Sequence, residues 1–228
     1  MEISGVLFDL YGTLFTYGNM SRAFGFWHED LTRALKNLGI SVSVSQVSKQ
    51  CKHFFAEDIP EKEGFTLYES RLNILAEHFG ISPDVNWIKH TAATSMNRWQ
   101  RMVPLHPQAI PLLQALQRQQ VRIGIVSNFE HGPHVRKVLR KHGLLKMLDA
   151  VVISSEVHHK KPEPEIFQIA LERLGTNPAN TLFVGDDPNR DIRGATAIGM
   201  QTKLFQNGSS LLSIFDEFFR ASKRDISK

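Results

Sequence analysis

Four apolar runs in this chain end on polar residues of types that do chemistry. The run at 3–10 carries Asp9 near its end and leads into Gly12-Thr13. The run at 121–126 ends at Ser127-Asn128, and the run at 150–153 ends at Ser154-Ser155. The run at 181–184 ends at Gly185-Asp186-Asp187, with Asp191 shortly after. A carboxylate such as Asp9 can attack phosphorus or carbon and form an acyl-type intermediate that water later hydrolyses. It attacks a phosphate dianion poorly unless that charge is neutralised, and the acids Asp186, Asp187 and Asp191 are oxygen donors of the kind a hard cation takes. Taken singly, each has a plain structural reading: Asp9 as a cap or turn residue, Ser127-Asn128 as a turn, Asp186-Asp187-Pro188 as a helix start. Their joint occurrence at strand ends carries the chemical reading.

Stepping outward, the elements that must hold these residues alternate. Apolar strand-like runs at 3–10, 121–126, 150–153, 181–184 and, more weakly, 201–205 are separated by helix-period segments at 108–119, 135–142, 164–174 and 191–198. Gly143, Gly175 and Gly199 stand where left-handed C-terminal caps belong. This alternation predicts an α/β fold, a Rossmann-like parallel sheet flanked by helices. In such sheets ligands bind at the carboxyl ends of the strands, so the polar strand ends should meet at one edge. Residues 17–102 break the pattern, with helical periodicity at 24–38, 45–55, 67–79 and 86–102. They predict an all-helical domain inserted into an α/β core formed by 1–16 and 103–228. The tail from Asp216 is expected to fray.

The 228 residues suffice for such a core with an insert. Hydrophobic content of 42% and charged content of 22% are ordinary for a globular protein and exclude wholesale disorder. The net charge of +4 is scattered; Arg136-Lys137 and Arg140-Lys141 have helical spacing and read as a solvated face, so no nucleic-acid partner is expected. The single cysteine, Cys51, allows no intrachain disulfide and fits a reducing compartment. The N-terminus lacks a signal-peptide pattern and no apolar run reaches a membrane span, so a cytoplasmic protein without membrane contact is expected. The sequence is silent on oligomeric state.

The strand ends, taken in order, resemble the four motifs of the haloacid-dehalogenase (HAD)-like hydrolase superfamily, in the subfamily with a helical cap inserted after the first motif. Asp9-Leu10-Tyr11-Gly12-Thr13 looks like the first motif and Val126-Ser127-Asn128 the second. Lys160-Lys161-Pro162-Glu163-Pro164 looks like the third, and Gly185-Asp186-Asp187-Pro188-Asn189-Arg190-Asp191 the fourth. The resemblance implies Asp9 as the nucleophile, Lys161 as the catalytic lysine and Ser127 with Asn128 as the group holding the transferring moiety. It implies Mg2+ bound by Asp9, Asp186 and the main-chain carbonyl of Tyr11, with Asp187 and Asp191 orienting waters or Lys161, or Asp187 ligating directly. These roles are chemically sound. Mg2+ keeps several waters and few carboxylates, Lys161 supplies a compact positive charge, and Ser127 with backbone N–H groups at a helix head suits a substrate oxygen.

One position departs from the pattern. Phosphatases of this superfamily carry a second Asp two residues after the nucleophile, which protonates the leaving alcohol; here Tyr11 stands there. A phenol with pKa about 10 is a far weaker acid than a carboxylic acid at about 4, and a lost positioned acid costs about 10²–10⁴ in rate. The loss should weigh most on alkyl phosphates and least on aryl or acyl phosphates. Asp-x-Tyr-Gly-Thr is also the form found in metal-independent 2-haloacid dehalogenases, which use an Arg after the first motif; Arg22 and Arg33 are the candidates, although a surface-helix role suits both. The acidic fourth motif points back toward a metal. A non-catalytic HAD-fold binding protein is the third reading, opposed by retention of Asp9, Ser127, Lys161 and Asp186. His131 is a conceivable substitute acid, though an exposed loop position is the expectation. The pair His158-His159 is discounted as a transition-metal site, because adjacent side chains point apart.

The insert is expected to exclude water and to contribute recognition residues, with Phe54, Phe55, Lys62 and Phe65 as candidates. The leading expectation is a Mg2+-dependent phosphatase acting on a small phosphorylated metabolite through an aspartyl-phosphate on Asp9.

Overall fold

The computed structural model describes residues 2–54, 57–59 and 62–220. Five strands, β1 (Gly5–Phe8), β2 (Arg122–Ser127), β3 (Ala150–Ile153), β4 (Thr181–Gly185) and β5 (Gln201–Leu204), form one sheet in the order β3-β2-β1-β4-β5. Every pairing is parallel. The four residues of β1 are all buried, as expected of a central strand covered on both faces. β1 is shorter than its apolar run because Leu10 leaves the ladder. Its carbonyl accepts from Phe15 N (2.8 Å), and Gly12 N donates to Phe15 O (2.7 Å), closing a tight loop directly after Asp9.

The chain divides into two compact units. One comprises Met1–Thr16, Leu105–Phe129 and Arg136–Lys228; the other comprises Tyr17–Pro104 and Glu130–Val135. The first is the α/β unit. Its further elements are α5 (Ala109–Arg118), most of α6 (Gly132–Lys141), α7 (Ser154–Val157), α8 (Pro164–Leu174), α9 (Gly194–Ala197) and α10 (Leu212–Phe215). α8 starts on Pro164, whose missing N–H costs nothing in a first turn, and stops at Gly175 with φ of 71°. Gly143 and Gly199 also have positive φ, at 73° and 86°. Leu7, Val126, Val152, Phe167 and Phe183 make the core on one side of the sheet, with Phe167 and Phe183 edge to face at 5.2 Å. Each such fully buried side chain stabilises by about 1.5–3 kcal/mol. The helix expected at 191–198 is instead a wide π-type turn, Pro188–Arg193, followed by α9.

The helical unit contains α1 (Met20–Asn37), α2 (Val44–Phe54), α3 (Leu67–His78) and α4 (Val85–Arg101). Asn19 and Asp84 cap α1 and α4 through backbone N–H groups, and Thr66 with Glu69 forms a reciprocal capping box on α3. α1 packs on α4 through the stripe Ala23, Trp27, Leu31 and Leu35. Residues 130–135 join this unit through long-range bonds. Tyr68 N donates to Glu130 O (3.2 Å), Arg71 Nε to Glu130 Oε2 (2.9 Å), and His134 Nε2 lies 3.1 Å from Gln100 Oε1. Of the predicted recognition residues, Phe55 and the side chain of Phe54 lie outside the described residues. Lys62 and Phe65 stand together, the ammonium 5.4 Å from the ring centroid. Among the described residues, no helix is long and apolar enough to cross a membrane.

Candidate active site

The sheet order decides which strand ends meet. β1 lies between β2 and β4, so Asp9 emerges between Ser127-Asn128 and Asp186. Asp9 N donates to Val184 O at 2.8 Å, which extends the β1–β4 ladder one residue and fixes where the carboxylate starts. Asp9 is 6% exposed and Lys161 3% exposed. Lys161 Nζ lies 2.5 Å from Asp9 Oδ1 and 2.7 Å from Asp191 Oδ1. It bridges a residue after β1 to one in the turn after β4.

Two glycines make room for the acids. A Cβ on Gly12, whose φ is 109°, would lie 2.2 Å from Asp186 Oδ2, and one on Gly185 would lie 2.4 Å from Asp191 Oδ2. Asp191 Oδ2 also accepts from Asp187 N at 3.0 Å. Asp9, Asp186 and Asp191 therefore each bring an oxygen within 4.8 Å of the others. One ammonium faces three carboxylates. Burial, and then repulsion from Asp191 and Asp186, pushes the Asp9 carboxyl up to about 6 against the attraction of Lys161. Asp186 is raised, first by burial and then by Asp191. Burial alone would lower Lys161, but Asp9 and Asp191 outweigh it and hold the ammonium charged.

Among the described residues, Asp9 Oδ2 is buried without a hydrogen-bond partner. An orphaned carboxylate oxygen beside two further carboxylates is the donor set a hard divalent cation takes, and Asp9, Asp186 and Asp191 fit one.

The remaining predicted residues are placed differently. Asp187 is not brought into the cluster. Its Oδ1 accepts from Asn189 N (2.9 Å) and Arg190 N (2.8 Å), and its Oδ2 pairs with Arg190 Nε (2.8 Å). Those donors hold its carboxyl below the usual range. Its carboxylate caps the turn at Pro188–Arg193. The ring of Tyr11 lies 4.9 Å from that of Phe129 and 5.9 Å from that of Phe15. Ser127 is 1% exposed at the end of β2. Asn128 turns its amide onto the main chain of Lys161, a use that no local signal announces.

His131, expected in an exposed loop, is instead 3% exposed, with Nδ1 3.0 Å from Thr66 Oγ1 within the helical unit. Burial lowers its pKa and favours the neutral ring, which leaves less of the protonated form to donate a proton. Arg33 pairs with Asp30 at 3.2 Å and is largely exposed, and Arg22 lies over the Phe26 ring, the surface-helix roles expected of both. His159 Nδ1 lies 3.3 Å from Glu163 Oε2, a partly exposed pair.

Residues 3–199 match the model of the haloacid dehalogenase-like hydrolases. The chain belongs to this family. The chain is thus a HAD-like hydrolase, an enzyme. Among its relatives is the glyceraldehyde 3-phosphate phosphatase of Methanopyrus kandleri, 26% identical over 206 residues that cover 90% of this chain and 85% of the relative. Two solved structures share the fold. The HAD phosphatase of Thermococcus onnurineus has a TM-score of 0.63 and 24% identity, covering 92% of this chain and 89% of that one. The 2-haloacid dehalogenase of Pseudomonas syringae has a TM-score of 0.65 and 23% identity, covering 91% and 89%. A phosphatase and a dehalogenase match the fold equally well, so the chemistry has to be argued from the site.

Proposed function

We propose that the protein is a Mg2+-dependent phosphatase that hydrolyses a small phosphorylated metabolite through an aspartyl-phosphate on Asp9. The observation that carries this reading is the unbalanced cluster, buried Asp9 and Asp191 with half-buried Asp186 against one ammonium, with Asp9 Oδ2 lacking a hydrogen-bond partner among the described residues. A site that excludes cations has no use for that excess charge, whereas a phosphate dianion approaches it only once the charge is neutralised. Mg2+, held by Asp9, Asp186 and the Tyr11 carbonyl, with Asp191 close by, would supply Lewis-acid charge at the phosphoryl oxygens.

An Asp9 carboxylate oxygen forms a bond to phosphorus, the bond from phosphorus to the leaving oxygen breaks, and the leaving group departs with its electron pair. Water then attacks phosphorus, releases inorganic phosphate and restores the Asp9 carboxylate. Lys161 stabilises the charge on the transferring group, and Ser127 with its neighbouring backbone holds one of its oxygens. The name of the Methanopyrus relative supports a small phosphorylated substrate.

Tyr11 favours a second reading, a metal-independent 2-haloacid dehalogenase, in which Asp9 attacks carbon and halide leaves without a proton. The deciding experiment is hydrolysis of an aryl phosphate by wild type and Asp9→Asn, each with Mg2+ and with chelator. Release that needs Mg2+ and vanishes in Asp9→Asn is the expected result. Absence of release together with chloride production from 2-chloropropionate gives the site to dehalogenation.

A further inference from the structure

The β2–β3 ladder ends at the pair Ser127–Ile153, yet the contact between these two chain segments continues beyond it. Phe129 N donates to Ser154 Oγ at 3.0 Å. Asn128 Oδ1 accepts from Lys161 N at 2.8 Å, and Asn128 Nδ2 donates to Lys161 O at 2.9 Å. The backbone dictates which way the amide faces, since an N–H requires the oxygen and a C=O requires the NH2 group. In this arrangement a side-chain amide does what a neighbouring strand does, binding both polar groups of one residue across the gap.

The residue so bound is the one that needs it. Lys161 lies beyond β3 in sequence, two strand positions from β1 and three from β4, and its ammonium must reach both Asp9 and Asp191. A lysine side chain has four rotatable bonds and about 2 kcal/mol of rotamer entropy to lose. Fixing its main chain limits that search. We propose that Asn128 is a positioning residue for Lys161: its amide clamps the Lys161 main chain so that the ammonium is held between Asp9 and Asp191, and Asn128 itself does not touch the substrate. For the consequence on turnover this rests on the phosphatase reading above; the clamp does not.

The test uses the full chain with Asn128→Ala and the isosteric Asn128→Asp, which turns the donor to Lys161 O into an oxygen facing an oxygen. Three quantities are read: kcat and KM on an aryl phosphate, melting temperature, and the rate at which 2,4,6-trinitrobenzenesulfonate labels each lysine, followed by peptide mass spectrometry. A misplacement of about 1 Å costs about 10²-fold, so kcat should fall by about 10–100-fold in both variants while KM stays within about threefold. Melting should fall by no more than about 5 °C. Labelling should accelerate at Lys161 and at no other lysine. A KM increase as large as the kcat loss, with Lys161 protected as in wild type, overturns the proposal in favour of direct substrate contact. Unchanged kcat and labelling overturn it outright. Faster labelling at every lysine in both variants makes the role one of general folding, which also overturns it. If wild type hydrolyses no phosphate ester, the phosphatase reading falls, and the labelling of Lys161 still decides the clamp.

Discussion

Both units of the molecule bury charge, and they do so in opposite ways. In the helical unit the buried α3 residues Glu69, Arg71 and Tyr68 each have a counterpart. Glu69 closes the capping box on Thr66 and pairs with Lys89 at 2.9 Å. Arg71 pairs with Glu130 at 2.9 Å and donates to Glu57 O at 3.1 Å. Tyr68 accepts from Trp27 Nε1 at 2.8 Å and lies 2.7 Å from Ser95 Oγ. In the α/β unit three carboxylates gather about one ammonium, and among the described residues Asp9 Oδ2 has no hydrogen-bond partner. Balanced buried charge stabilises or at least costs little, whereas unbalanced buried charge is retained at a cost to stability because something other than folding uses it. The contrast distinguishes the two regions without reference to any motif.

The contrast breaks most visibly if the balanced region tolerates loss of a partner. Arg71→Ala leaves Glu130 facing a buried position, although Glu130 keeps 30% side-chain exposure and can partly rehydrate. The expected loss is about 2–4 kcal/mol, or a fall of about 5–12 °C in melting temperature, measured by calorimetry in chelator. A variant as stable as wild type would show that α3 holds its polar residues for function as well.

The unbalanced region should respond to a cation instead. Mg2+ at about 100 times its dissociation constant should stabilise the wild type by about 2.7 kcal/mol, read as a rise in melting temperature. The same Mg2+ should do little for Asp186→Asn, which removes one of the three converging carboxylates, while in chelator that variant should melt no lower than wild type. Equal Mg2+ responses in the two proteins would place the cation elsewhere.

How much of this was legible beforehand depends on the range of the interaction. β3 and α8 were read to the residue, because an apolar run, an N1 proline and a C-terminal glycine are local signals. The meeting of Asp9 with Asp186 and Asp191 followed from strand order and the motif spacing. The capping bonds of Asp187 to Asn189 and Arg190 are not legible in the sequence, because a carboxylate that caps its own turn has the same neighbours in sequence as one that binds metal. His131 and the segment 130–135 were misjudged because the bonds drawing them into the helical unit span 59 residues for Arg71–Glu130 and 65 for Thr66–His131. The Asn128 clamp spans 33 residues and uses the main chain of its partner, which carries no residue-type signal at all.

The smallest expected effect is also the one that most sharpens the contrast, because the two regions should titrate with opposite signs. Asp9 has its carboxyl raised from 3.8 to about 6 by burial and by its acidic neighbours. A raised carboxyl favours the protonated form in the folded state, so its contribution to stability is fully present below about pH 4 and is lost as pH rises through about 6. Glu69 is lowered: burial, its largest influence, would raise it, but the Thr66 N–H and Lys89 together outweigh that. Its contribution is therefore present above its unfolded value and is lost as pH falls through the folded one. In chelator, Asp9→Asn should therefore gain stability over wild type as pH climbs from 4 to 7, by an amount on the order of 2 kcal/mol, with no gain at pH 4. Glu69→Gln should show the reverse, a deficit at pH 7 that shrinks on acidification. Saturating Mg2+ should remove the pH-dependent gain of Asp9→Asn, because the bound cation compensates the same carboxylate that the substitution neutralises, and should leave the Glu69→Gln profile where it was. A stability difference between wild type and Asp9→Asn that stays flat with pH would mean that the excess charge at the β1 end is already compensated within the protein, and the reason for assigning a cation there would be gone.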